Sequence, residues 1–307
     1  AAAEKAAAEK VAAEKAAAEK AAAEEAGGKE GAATTTQISS SGKKRRMARS
    51  GDNNSALDVY RPLRNFIDAP PPGKLEGCSF YAKLLCKKEL TEVKGVEATM
   101  LEVNTATSSK MRDPEFRALV ESKDISGGMV FAIQLYTFDL VSIQECESSD
   151  NFYYNLNESL RKRDAGFLRE AHGYLYYLMT GLERLGAPES VKTVWRGIDA
   201  ESAEVVKSRY TLGRQIHWSS FSSSSPSPEV PREIFAKDGG LLMRITLQGA
   251  DSRARDIRRF SMFPDEDEIL LLPNFKLVVV SEIRFDEDLK MNVVDLLETS
   301  AEETEVW

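Results

Sequence analysis

Three polar features in the C-terminal half carry residue types that can do chemistry. The first is Thr193-Val194-Trp195-Arg196-Gly197-Ile198. On a strand, Val194, Arg196 and Ile198 share one face. An arginine between two apolar residues is either at a sheet edge or a buried charge that needs an anion. Gly197 beside it permits close approach by another backbone or by a ligand. The second is Ile216-His217-Trp218-Ser219-Ser220-Phe221-Ser222-Ser223-Ser224-Ser225-Pro226, which reads either as a serine linker or as a strand end that places hydroxyls in a cleft. The third is Phe263-Pro264-Asp265-Glu266-Asp267-Glu268, which runs straight into Ile269-Leu270-Leu271-Leu272. In extended geometry, Glu266 and Glu268 face one side about 6–7 Å apart. Two carboxylates at that range suit cleavage of a glycosidic bond through an oxocarbenium-like transition state; a solvated acidic turn is the plainer reading.

The elements that must hold these residues follow from hydrophobic period. Phe167, Ala171, Tyr174, Leu175, Leu178, Leu182 and Leu185 recur at three- and four-residue steps and predict an amphipathic helix over 165–185, with His172 packed beside the stripe and Gly186-Ala187-Pro188 as its stop. Asp113-Pro114-Glu115 reads as a helix start. Ser126-Gly127-Gly128 precedes another apolar stretch. Val191–Ile198 reads as a strand. Leu241, Met243, Ile245 and Leu247 alternate with Leu242, Arg244, Thr246 and Gln248, a period of two. Ile269–Leu272 and Leu277–Phe285 are further strands. Helices come first and short strands follow, which indicates an α+β fold with the two segregated.

The first 57 residues differ in kind. Residues 1–25 repeat Ala-Ala-Ala-Glu-Lys with a period of five, which winds charge around a helix and leaves no apolar stripe, so a semi-rigid solvated helix is expected. Residues 29–57 are rich in Gly, Ser, Thr and charge and include Lys43-Lys44-Arg45-Arg46-Met47-Ala48-Arg49; a disordered basic linker, or a nuclear-import or acidic-surface patch, fits that composition. The organisation expected is therefore 1–57 as helix and linker and 58–307 as one catalytic domain, helical over 58–188 and strand-rich over 189–307. The globular part starts near Val59-Tyr60, and Pro70-Pro71-Pro72-Gly73 makes a rigid turn within it.

Composition narrows the function classes. The 307 residues carry 41 basic and 49 acidic side chains, a net charge of −8, and beyond residue 50 the balance is 31 basic to 42 acidic. That excess argues against broad nucleic-acid binding, which rests on Lys/Arg contacts to phosphate. The longest apolar runs are too short to span a bilayer. Cys78, Cys86 and Cys146 are odd in number and widely spaced, which makes a reducing compartment, cytoplasmic or nuclear, the default. Secretion stays open, although Asn-x-Ser matches at Asn53 and Asn157 do not establish it. With two histidines, His172 and His217, and no CxxC or HxxxH spacing, no metal site is expected. GxGxxG and GxxxxGK[ST] are both absent.

In chain order, an arginine on a strand, an aromatic-x-Ser-Ser-Ser run and a Glu-x-Glu opening a strand make the R-S-E arrangement, and the sequence resembles the arginine-directed mono-ADP-ribosyltransferases. Phe152-Tyr153-Tyr154-Asn155-Leu156-Asn157-Glu158-Ser159-Leu160-Arg161 resembles that family's Tyr-x-x-Leu-Asn-x-x-Leu-Arg segment. Ala132-Ile133-Gln134-Leu135-Tyr136-Thr137 is similar to its Ala-Ile-x-x-Tyr-Thr helix, Trp195-Arg196-Gly197 to its aromatic-Arg-Gly, and Asp256 through Leu270 to the stretch that leads into its Glu-x-Glu loop. The resemblance spans residues 126–300.

It implies two roughly perpendicular antiparallel sheets around an NAD cleft, with N-terminal helices packed against them. It also implies cleavage of the nicotinamide–ribose bond of NAD, the substrate, with ADP-ribose passed to an arginine of a target protein. Under that resemblance Arg196 holds an NAD phosphate or ribose and Gly197 lies beside it. Ser223 orients Glu268, with Ser222 as the alternative register. Glu268 stabilises the developing ribosyl cation and Glu266 faces the acceptor. Phe235 stacks near nicotinamide, and Arg232 reaches the pyrophosphate. A glycohydrolase that uses water in place of the acceptor, and an interaction protein with a decayed site, are the alternatives.

Overall fold

The computed structural model describes residues 70–71, 74–89, 96–139, 151–236 and 239–299. The helix expected over 1–25, the linker over 29–57 with its basic run at Lys43–Arg49, the onset near Val59-Tyr60, half of the Pro70–Gly73 turn, Asn53 and Cys146 lie outside the described residues. Helices α1 (Cys78–Glu89), α2 (Val96–Arg112), α3 (Pro114–Ser122), α4 (Gly127–Thr137), α5 (Phe152–Lys162) and α6 (Ala165–Leu185) precede strand β1 (Thr193–Ile198). Helix α7 (Ala200–Arg209) follows, and then come β2 (Gln215–Trp218), β3 (Ser222–Ser224), β4 (Leu241–Thr246), β5 (Ala254–Asp256), β6 (Ile269–Leu271), β7 (Phe275–Val279), β8 (Arg284–Asp286) and β9 (Met291–Glu298).

Local chemistry sets the helix ends. The Asp113 carboxylate accepts from the Phe116 amide at 2.7 Å, with Pro114 at the first helical position of α3. Asp164 caps α6 at the Phe167 amide, 3.0 Å, and Asp199 caps α7 at the Ser202 amide, 2.8 Å. Gly186 closes α6 at φ 76°, a backbone angle suited to glycine. The predicted stripe of α6 is buried from Phe167 to Leu185. Helix α7 was not expected in the strand-rich half. It buries only Ala203 and Val206, too narrow a stripe to register as a helical period.

Two sheets form, as expected of an α+β fold. The larger has the strand order β1-β4-β9-β7-β2, with β8 also pairing β9; the smaller is β3-β6-β5. The larger is not wholly antiparallel: β4 and β9 run parallel. An antiparallel bridge between Trp195 and Ser225 joins edge strand β1 to the end of β3, and so ties the sheets together. The stretch predicted as one strand over Leu277–Phe285 is two, β7 and β8, because Ser281 turns the chain: its hydroxyl accepts from the Asp295 amide at 2.9 Å.

The small sheet lies between two cores. Leu270 and Leu272 join Phe221, Ile257 and Phe260 in the core built by the helices. Ile269 and Leu271 join Val194, Trp218, Ile245, Phe275 and Leu296 in the core of the large sheet. Burial on both faces explains why Ile269–Leu272 reads as an unbroken apolar run rather than an alternating one. The alternation read in β4 is also partial, because Leu242 is buried with Ala236 and Val293 on the other face.

Candidate active site

The three features that lie far apart in the sequence meet where the sheets join. In the small sheet Ser223 stands opposite Leu270, and Ser224 opposite Ile269. Opposed residues share a face and neighbours alternate, so Ser223 faces the side of Leu270 and Glu268, while Ser222 and Ser224 point away. The Ser223 hydroxyl donates to Glu268 Oε1 at 2.5 Å, and the Ser224 hydroxyl donates to the Ile269 carbonyl at 2.7 Å. The contact to the carboxylate thus comes from Ser223 and not from Ser222. Glu268 is fully buried, and its carbonyl accepts from the Ile257 amide at 3.3 Å.

Arg196 is the buried charge of the two readings, 2% exposed on edge strand β1. Its Nη1 donates to the Ser223 carbonyl at 2.8 Å, and its guanidinium lies 5.7 Å from the Trp218 ring centroid, a cation–π distance. Trp218 is held in turn: its indole N–H donates to the Tyr210 hydroxyl at 2.9 Å, and its ring stacks on Phe275. Arginine and glutamate therefore flank one serine, the first through its carbonyl and the second through its hydroxyl.

Gly197 has no room for a side chain. A Cβ there would sit 2.2 Å from the Pro231 carbonyl oxygen and 2.9 Å from Phe235 Cβ. Its close partner is the turn Pro231–Phe235, wound as a single π-helical turn, so Phe235 comes beside the arginine strand through this contact. Arg232 lies on the outer side of that turn, one third exposed and paired with Glu233 at 3.0 Å. Gly197→Ala forces the strand and turn apart, and a loss of about 1–3 kcal/mol of stability is expected, the range for overpacking. A denaturant midpoint equal to that of the wild type would contradict this.

The Glu-x-Glu segment departs from the extended geometry expected of it. Pro264–Glu266 is a 3₁₀ turn and Asp267 is left-handed at φ 48°, ψ 42°. Proline starts the turn with its fixed φ, and an aspartate tolerates the left-handed angle better than most residues. Glu266 is enclosed at 2% exposure rather than displayed on a strand edge.

Several residues that place the site were quoted in the sequence without a role. Phe221 packs its ring 5.0 Å from Tyr136 of α4, and the Tyr136 hydroxyl accepts from Asn157 of α5 at 3.1 Å. The two helical motifs therefore seat the strand that carries Ser223. Asn157 is buried in that role, and its Asn-x-Ser match is a core position. Thr137 accepts the Met262 amide at 3.0 Å, and so fixes the segment that enters the Glu-x-Glu turn. The motif spacing carries a signal for all four, but only as similarity. Lys110, whose ammonium donates to the Arg259 and Ser261 carbonyls, carried none.

His217, next to Trp218 on β2, is 5% exposed. Burial, with Arg163 and Lys276 nearby, holds its pKa down to about 4, against a smaller opposing hydrogen bond with Asn274. The unfolded chain therefore binds a proton that the folded chain refuses between about pH 6.5 and 4. Stability is greatest above about 6.5 and falls as pH drops through that window, by on the order of 3 kcal/mol. Urea midpoints measured across it should slope less in His217→Gln, and an identical slope would remove His217 as the cause.

Among the described residues, no helix is long and apolar enough to cross a membrane, and no group of three or more His, Cys, Asp or Glu could hold a metal ion. The sequence profile of the NAD:arginine ADP-ribosyltransferase family matches residues 79–303, which begins well upstream of the stretch quoted for the resemblance. No curated protein matches the sequence. Two of the solved structures that share the fold show the extent of the likeness. The ADP-ribosyltransferase HopU1 of Pseudomonas syringae pv. Tomato DC3000 is 20% identical, with a TM-score of 0.50 over 64% of this chain and 87% of its own. The type III effector XopAI of Xanthomonas axonopodis pv. citri is 15% identical, with a TM-score of 0.51 over 73% and 88%.

Proposed function

Since the chain belongs to the NAD:arginine ADP-ribosyltransferase family, we propose that it cleaves the nicotinamide–ribose bond of NAD and transfers ADP-ribose to an arginine of a protein. The observation that carries the proposal is the buried Arg196–Ser223–Glu268 constellation, with its 2.8 Å and 2.5 Å contacts.

As nicotinamide leaves with the bonding electron pair, positive charge grows on the ribose. A fixed carboxylate stabilises that charge more than it stabilises neutral substrate, which is the requirement for catalysis. Glu268 supplies the carboxylate and Ser223 holds its direction. Arg196, a buried cation with five N–H donors, suits a phosphate or ribose oxygen. Phe235 offers an aromatic surface for the pyridine ring, and Arg232 a more exposed cation for the pyrophosphate. The acceptor guanidinium is protonated and a poor nucleophile; Glu266 orients it and takes a proton as the new C–N bond forms.

A second reading has one observation in its favour. Glu266 is enclosed, which leaves less room beside its carboxylate for a guanidinium than for a water molecule. Labelled NAD with agmatine separates the two readings. Label on agmatine supports transfer, free ADP-ribose alone supports hydrolysis, and no consumption of NAD overturns both.

A further inference from the structure

We propose that Arg258 is a positioning residue that sets Glu266 apart from Glu268 and thereby governs the balance between transfer and hydrolysis; the inference rests on the reading above. Strand β5 ends at Asp256, which stands opposite Ile269, the residue after Glu268. Arg258 grips the Asp256 carboxylate with two nitrogens, Nε to Oδ1 at 2.9 Å and Nη2 to Oδ2 at 2.5 Å. Its Nη1 lies 3.6 Å from Asp267 Oδ1. One guanidinium thus links the end of a paired strand to the residue between the two glutamates.

Asp267 is the residue whose left-handed backbone reverses the turn, so its orientation decides where Glu266 points relative to Glu268. Glu268 is held at both ends, its side chain by Ser223 and its carbonyl by Ile257. Glu266 ends the 3₁₀ turn, next to the Asp267 that Arg258 holds. The backbone around Arg258 is itself fixed: Lys110 caps the carbonyls of Arg259 and Ser261, and Thr137 takes the Met262 amide. Arg258 is therefore a rigid arm that acts on the acceptor-side carboxylate.

The pair is partly exposed, with side chains 34% and 58% accessible, so its effect is modest and salt-sensitive. In Arg258→Ala the ratio of agmatine labelling to free ADP-ribose should fall about two- to fivefold, the range one partly exposed ion pair can carry. Asp267→Asn should lower the ratio similarly, and the double variant no further. Raising salt should depress the ratio more steeply in the wild type than in Arg258→Ala, a difference that a merely structural residue would not give. Amide exchange over residues 263–268 provides a readout independent of activity and should quicken in Arg258→Ala. Unchanged exchange, or an unchanged ratio with full activity, overturns the positioning role. Loss of all NAD consumption in the wild type overturns the functional reading instead, and the exchange result still decides the role of Arg258.

Discussion

Glu268→Gln should lower nicotinamide release by about 10²–10³-fold, with and without an acceptor, because on the proposed reading it removes a carboxylate aimed at the developing ribosyl cation. The substitution is nearly isosteric. Its amide oxygen still accepts from the Ser223 hydroxyl, so the 2.5 Å contact loses charge rather than position. Glu268 is fully buried, and glutamine keeps its volume and its place beside Ser223. The protein should therefore stay folded at the assay temperature while the rate collapses. Retention of release within threefold of the wild type would show that Glu268 is not the stabilising group.

Glu266→Gln should behave differently. On the proposed reading Glu266 acts on the acceptor and not on the bond that breaks. Transfer to agmatine should fall by about 10²-fold or more, the scale of general-base catalysis, while free ADP-ribose continues to form. The two variants together separate the carboxylates: one loses both products and the other loses only the transfer product. Equal loss of both products in Glu266→Gln would mean that the two glutamates act on the same step.

The parts of the fold legible in the sequence are those in which one strong local signal decides the outcome. The stripe from Phe167 to Leu185 gave α6 at its full length, and Asp113-Pro114 gave the start of α3. Ile269–Leu272 was legible because both faces of β6 are buried. What escaped depends on partners distant in the chain. The parallel pairing of β4 with β9 joins strands about 50 residues apart, and no local pattern encodes that direction. The Glu266-Asp267-Glu268 spacing read as extended, yet proline and a left-handed aspartate bend it. Within a run of four serines the register follows from pairing with β6, which puts the Ser223 hydroxyl on the Glu268 side. Of the candidate site residues, Arg196, Ser223 and Glu268 are legible as types. Trp218, Tyr136 and Asn157, which hold them, look like ordinary core until the packing is known.

The central claim is that Arg196, Ser223 and Glu268 surround one dinucleotide. A crystal structure with a non-hydrolysable NAD analogue tests it most directly. The account predicts the nicotinamide ribose against Glu268, with the Arg196 guanidinium on a phosphate or ribose oxygen and Phe235 near the pyridine ring. An analogue bound elsewhere, with the Ser223–Glu268 pair untouched by it, would contradict the account.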